Sequence, residues 1–175
     1  MINLGSPDST SVKDVKKYLD EFLMDERVIG KSYWFRWFLV KVIILNTRPK
    51  KSAKAYKKIW WKEGSPLIVL SRRLFDKVLK LVKFPVALAM RYGSISIING
   101  LKELDEKGVK NVTVLPLYPH YAMSSYETVV EKVKDEVKIK SESVDTRNNS
   151  QISSQLGAVP GNASLDFTGA KHENN

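Results

Sequence analysis

Short apolar runs alternate with stretches of helical periodicity along this 175-residue chain, and that alternation limits its fold more than any other feature. Residues 85–90 are apolar at every position and end at Arg91-Tyr92-Gly93, as a strand buried on both faces does. Residues 109–117 read as a second buried strand, ended by Pro116 and Pro119, and Ile2-Asn3-Leu4 is a shorter apolar stretch before the turn residues Gly5-Ser6-Pro7-Asp8. Helices fill the intervals. Ser11 followed by Asp14 is a capping-box-like start for a helix carried by Val12, Val15, Leu19, Phe22 and Leu23 to about Asp25. Residues 52–61 read as helical, and Ser65 with Pro66 forms an N-cap and first helical position for a helix to about Lys83. Ser94 is placed to cap a helix through Ile97, Ile98, Leu101 and Leu104, which Gly108 stops. Ser124 or Ser125 opens a last helix over 126–137, while residues 26–47 fit either a helix or an extended apolar lip. Strands and helices in this order predict a parallel sheet covered on both faces, a three-layer α/β lobe. Ligands of such sheets bind beyond the carboxyl ends of the strands. Those ends are Gly5-Ser6-Pro7, Arg91-Tyr92-Gly93 and Tyr118-Pro119-His120-Tyr121.

Charge divides the chain. Residues 1–138 carry a net charge of +11, whereas 139–175 carry −1, hold one aromatic (Phe167) and are rich in Ser, Asn, Gln and Gly. A segment of that composition cannot bury enough apolar surface to offset its ordering entropy, so a folded unit over 1–138 and a disordered polar tail over 139–175 are expected. There is no cysteine, which removes disulfides, thiolate ligands and cysteine nucleophiles and fits a reducing compartment. The longest apolar-looking stretch, 33–45, is interrupted by Arg36 and Lys41 and is shorter than a membrane span. With no basic region followed by an apolar core at the start, the expectation is a cytoplasmic chain.

No self-contained catalytic motif is present: no phosphate-binding glycine loop, no nucleophile elbow, no His-Glu-x-x-His. His120 and His172 are the only histidines, so no metal site is expected, and His120 reads as a structural or solvent-facing residue. Lys13, Lys16, Lys17, Lys50, Lys51, Lys54, Lys57 and Lys58 are either solvated helix faces or a surface for an anionic partner, including an acidic membrane. Nucleic acid is not expected, since no recognition helix or RNA-binding strand motif accompanies them. The run Tyr33-Trp34-Phe35-Arg36-Trp37-Phe38 fills the core on one reading. On the other it lines an apolar pocket for a large flat ligand, with Arg48 holding a carboxylate through its fork.

Asn3-Leu4-Gly5-Ser6-Pro7-Asp8, then Tyr18-Leu19, Glu21-Phe22-Leu23, Asp25, Arg27 and Val28-Ile29, resemble the start of a ferrochelatase. The resemblance continues through Arg48-Pro49-Lys50-Lys51-Ser52-Ala53, Tyr56, Ile59-Trp60 and Glu63-Gly64-Ser65-Pro66-Leu67. It ends with Ala87-Leu88-Ala89-Met90-Arg91-Tyr92-Gly93 and Leu115-Pro116-Leu117-Tyr118-Pro119-His120-Tyr121, and so covers about residues 1–137.

The resemblance implies a lyase of haem biosynthesis that inserts ferrous iron into a porphyrin, protoporphyrin or coproporphyrin. It implies a chelatase-like lobe of the flavodoxin or Rossmann type, facing a second lobe across a porphyrin cleft. Ferrous iron is then substrate and no cofactor is bound; peripheral contact with a membrane is a further partner class. By motif match, Arg48, Tyr56 and Ser65 contact the porphyrin, and Arg91, Tyr92 and Tyr118 line the cleft. No catalytic residue is identified, because the Ser-Phe-His-Gly type motif and the later Glu of the second lobe do not occur in these 175 residues. The expectation is a truncated chain lacking the catalytic lobe. The alternatives are a non-catalytic porphyrin-binding or vestigial half, and a basic module for an acidic membrane or nucleic acid.

Overall fold

The computed structural model describes residues 1–119 and 121–139; His120 and the polar tail from residue 140 onward lie outside them. Strand β1 (Ile2–Gly5) is followed by helix α1 (Val12–Leu23). A continuous helical stretch then comprises α2 (Tyr33–Trp37), a wide π segment (Phe38–Ile44) and α3 (Leu45–Ile59). Helix α4 (Pro66–Leu79), strand β2 (Ala89–Tyr92) and helix α5 (Ile97–Glu106) follow. A second π turn (Met123–Glu127) leads into helix α6, over 128–139.

The strands β1 and β2 pair in parallel, with Ile2 opposite Ala89, Asn3 opposite Met90 and Gly5 opposite Tyr92. On the other side of β1, Ile2 donates to the Leu115 carbonyl (2.9 Å) and accepts from the Leu117 amide (2.7 Å), a single parallel bridge centred on Pro116. The architecture is mixed α/β around a small parallel sheet. Of the strand expected over 109–117, only this bridge forms: Pro116 has no N–H, and β1 offers four residues to pair with. The strand expected over 85–90 is shifted to Ala89–Tyr92, where β1 lies alongside.

The ambiguous segment 26–47 is helical from Tyr33, and α3 starts at Leu45, seven positions before the expected boundary. Pro49 sits inside α3 and cannot donate to the preceding turn. In the adjoining π segment side chains reach backbone carbonyls as well: Asn46 Nδ2 donates to Val42 (2.7 Å) and Thr47 Oγ1 to Ile43 (2.8 Å). Ser11 caps α1 as expected, accepting from the Asp14 amide (3.1 Å). Ser96 rather than Ser94 caps α5, and Ser65 holds the N-cap position of α4 without a side-chain capping bond.

Ile2 and Ala89 of the sheet pack with Ile97 of α5 and Val129 and Val133 of α6, flanked by Leu101, Val114, Tyr118 and Val137. Helices α1 and α3 pack on one another, contributing Val15, Tyr18 and Ala53 to the buried set. Helix α4 is tied to β1 by Asn3 Nδ2 donating to Ser71 Oγ (2.9 Å). Gly5 and Gly93 close the two strands at their carboxyl ends with φ of +104° and +99°. Among the described residues no helix is long and apolar enough to cross a membrane.

Candidate functional site

At the carboxyl ends of β1 and β2, the loop after β1 and the start of α4 enclose a cleft of about 230 Å³. Ser6, Pro7, Asp8, Trp60, Ser65, Arg72 and Tyr92 are among its lining residues. This is the position that a parallel sheet reserves for ligands. The turn before α4 is fixed by paired bonds between Trp61 and Gly64 (3.0 and 3.1 Å), with Gly64 at φ +126°. That turn sets the start of α4 beside the strand ends.

Next to the cleft runs a file of rings. Trp60 meets Tyr56 edge-on at 6.2 Å, Tyr56 meets Tyr18 at 6.5 Å, Tyr18 stacks on Phe22 at 6.1 Å, and Phe22 meets Tyr92 edge-on at 5.2 Å. Burial pushes the phenols of Tyr18, Tyr56 and Tyr92 above the ordinary tyrosine range, and Tyr118 up to about 12 against the opposing pull of Arg91. These hydroxyls stay protonated at neutral pH. They can donate or accept hydrogen bonds but cannot act as bases there. Tyr118 Oη is buried and takes no hydrogen-bond partner among the described residues.

Arg91 is already engaged. Its guanidinium pairs with Asp25 (2.5 Å), donates from Nε to the Thr128 carbonyl (2.8 Å) and lies 4.4 Å over the Tyr92 ring. Tyr92 Oη donates to the same Asp25 oxygen (3.0 Å). Asp25 therefore joins the end of α1 to β2, and Arg91 joins β2 to the start of α6.

The aromatic run on α2 does not fill the core. Trp34 is 77% exposed and Tyr33, Phe35, Trp37 and Phe38 are all exposed, whereas Arg36 turns inward and donates to the Lys31 carbonyl (2.9 Å). Lys41 of the π segment pairs with Asp20 of α1 (2.6 Å), so this apolar face is anchored to the body.

Of the six residues singled out from the sequence, Ser65 and Tyr92 line the common cleft, and Tyr56 stands in the ring file beside it. Tyr118 and Arg91 are close enough for the guanidinium to influence the phenol. Arg48 lies exposed on α3, outside this group. The reading of His120 falls outside the described residues. Sequence reasoning passed over Asp25 as the partner of Arg91, 66 positions away, and Ser6 as a lining residue. Ser6 belongs to the strand-end turn Gly5-Ser6-Pro7, so its location is legible from the sequence; nothing local marks the Asp25–Arg91 pair. Among the described residues, no three His, Cys, Asp or Glu side chains gather as a metal-holding group.

The family model described as Ferrochelatase matches residues 1–153, further along the chain than the motifs carry the resemblance. A ferrochelatase of Opitutus terrae is 53% identical over 139 residues, covering 78% of this chain and 40% of the relative. One of Azotobacter vinelandii is 53% identical over 135 residues (77% and 40%), and one of Pseudomonas fluorescens 50% over 141 (80% and 41%). The chain thus spans about 40% of the length of these curated relatives, and it is their N-terminal part that it matches.

Proposed function

The chain belongs to the ferrochelatase family, and on that premise we propose that it forms one wall of a porphyrin cleft serving ferrous-iron insertion in haem biosynthesis. The small sheet is, on this reading, part of a three-layer lobe. The observation that carries the proposal is the outward aromatic face of α2, with Trp34 77% exposed. Five aromatic side chains held in water need a large apolar ligand or surface to cover them. A porphyrin macrocycle supplies such an area, and Arg48, exposed on α3, offers a guanidinium to one of its carboxylates. Tyr56, Ser65, Tyr92 and Tyr118 are taken as its contacts, with Arg91 supporting Tyr92 through Asp25 rather than reaching a propionate. The lysines of α3, exposed beside this apolar stretch, also fit contact with an acidic membrane surface.

Iron insertion requires two pyrrole protons to leave, and the phenols of this wall are held protonated. A positioned base is worth ~10²–10⁴-fold, and an opposing wall adds orientation. The 175 residues alone are therefore expected to bind porphyrin, at micromolar affinity or weaker, without turning it over. The test follows porphyrin absorbance with purified protein, first without metal and then with ferrous iron under anaerobic conditions. Arg48→Ala should weaken a dicarboxylate porphyrin more than its dimethyl ester. Equal losses would remove Arg48 from the carboxylate role, no porphyrin binding would remove the whole reading, and turnover well above background would place a base within this chain.

A further inference from the structure

Helix α4 is apolar on two sides, and the sheet takes only one of them. Ser71, buried and bonded to Asn3, faces β1, with Phe75 and Val78 half-buried on the same side of the helix. On the neighbouring side Leu67, Leu70, Leu74, Lys77 and Leu81 follow one another at alternating steps of three and four residues, the spacing of a seam between two helices. Leu70 is 52% exposed, Leu74 44% and Leu81 83%, and Leu81 continues the last turn with its N–H donating to the Val78 carbonyl (2.9 Å). An open groove of about 530 Å³ runs along this side, lined by Leu70, Arg73, Leu74, Asp76, Lys77 and Lys80. Leucines at seam spacing left in water mark a surface that a partner covers.

The charges select the partner. Arg73 is held at the rim by Glu63 (3.0 Å), with its guanidinium 5.6 Å over the Trp61 ring. Lys77, inside the seam, and Lys80 beside it form no ion pair among the described residues. Covering Lys77 requires a carboxylate in the covering surface, since a buried ammonium is tolerated only when paired. A second copy does not supply it: seam against seam, two chains would bury two lysines and set two basic rims together. Residues 140–175 do not supply it either, because their only leucines are Leu156 and Leu165, with Gly157, Pro160 and Gly161 between them. We infer that this side of α4 docks an amphipathic helix of another protein, one whose apolar seam is flanked by acidic residues. The surface uses none of the residues assigned to the porphyrin and stands independently of that reading.

The test mixes the full 175-residue chain with two fluorescent synthetic peptides of roughly twenty residues. Both carry the same leucine seam at three-four spacing, flanked by glutamate in one and by lysine in the other. Anisotropy should show the glutamate peptide binding at least about tenfold tighter, a lead that shrinks in high salt. Lys77→Glu combined with Lys80→Glu should reverse the preference. Leu70→Ala and Leu74→Ala should each weaken the glutamate peptide by about tenfold. Both leucines are exposed, so the thermal midpoints of these variants should stay at that of the parent, which separates lost docking from lost folding. Equal affinity for the two peptides, or a preference that survives the double charge reversal, overturns the acidic partner. Binding of neither peptide, or binding indifferent to both leucine variants, overturns the docking surface itself. A chain that sediments as a dimer and returns to a monomer on Leu74→Asp makes a second copy the occupant and overturns the inference as well.

Discussion

Gly5 and Gly64 both hold positive φ, +104° and +126°, yet their surroundings differ completely. A Cβ on Gly5 would stand 1.9 Å from the Tyr92 carbonyl oxygen, a backbone atom of the paired strand, whereas one on Gly64 would meet nothing within 4 Å. Gly64→Ala therefore carries only conformational strain, about 1–3 kcal/mol in a urea titration. Gly5→Ala adds separation of the β1–β2 pair and is expected to cost more than about 4 kcal/mol, leaving little folded protein. Similar losses at both sites would mean that the strands can part without penalty. The tyrosines make a prediction in pH. Tyr118 is raised to about 12 and Tyr18, Tyr56 and Tyr92 are raised as well, so folding favours their neutral forms. Stability from this source is complete below the ordinary tyrosine value of about 10 and is lost as pH rises from there through the folded values. An alkaline titration should show their phenolate absorbance appearing together with unfolding. Ionisation of these four phenols near their ordinary value in a still-folded chain would contradict their burial.

Ser11 and Ser65 both hold N-cap positions, and of these two only Ser11 forms a capping bond. Ser11 Oγ accepts from the Asp14 amide, so Ser11→Ala should cost about 1 kcal/mol, while Ser65→Ala should change stability little because no capping bond is lost. Chemical denaturation of the two variants checks the contrast, and an equal cost would place Ser65 in a structural role. The contrast also marks how far the sequence could be read. The Ser11 cap is a contact three residues long, and it was legible. So were the Gly108 stop and the place of Tyr92 at a strand end, since each follows from local turn chemistry or from strand order. The strand over 109–117 was overread because its apolar content says nothing about how many residues β1 can offer it. The aromatic run could be core or surface by composition alone; packing of α1 against α3 leaves α2 outside and decides the matter. The Asp25–Arg91 pair was illegible for a simpler reason, that its partners belong to elements brought together only by the whole fold.

Across the whole molecule, β1 is the hub: it is bonded to β2 on one side and to the Leu115–Leu117 segment on the other, and Ile2 is 6% exposed between them. Truncating Ile2 to Ala should cost about 2–5 kcal/mol. Because each of its contacts closes a long loop, most of that loss is expected to appear as faster unfolding, with folding slowed by less. Stopped-flow kinetics decide this, and a folding rate that falls by the full stability loss would put the completed sheet in the transition state. The same hub governs how the chain emerges from the ribosome. The strand Ile2–Gly5 is made before its partners, since Ala89 and Pro116 follow only after roughly 80 and 110 further residues. At about 5–20 residues per second that is roughly 4–16 s before the first neighbour exists and 6–22 s before the second. For that interval the apolar edge of β1 is open to any other nascent strand, so the yield of folded protein depends on the speed of translation and on whatever shields this strand while it waits.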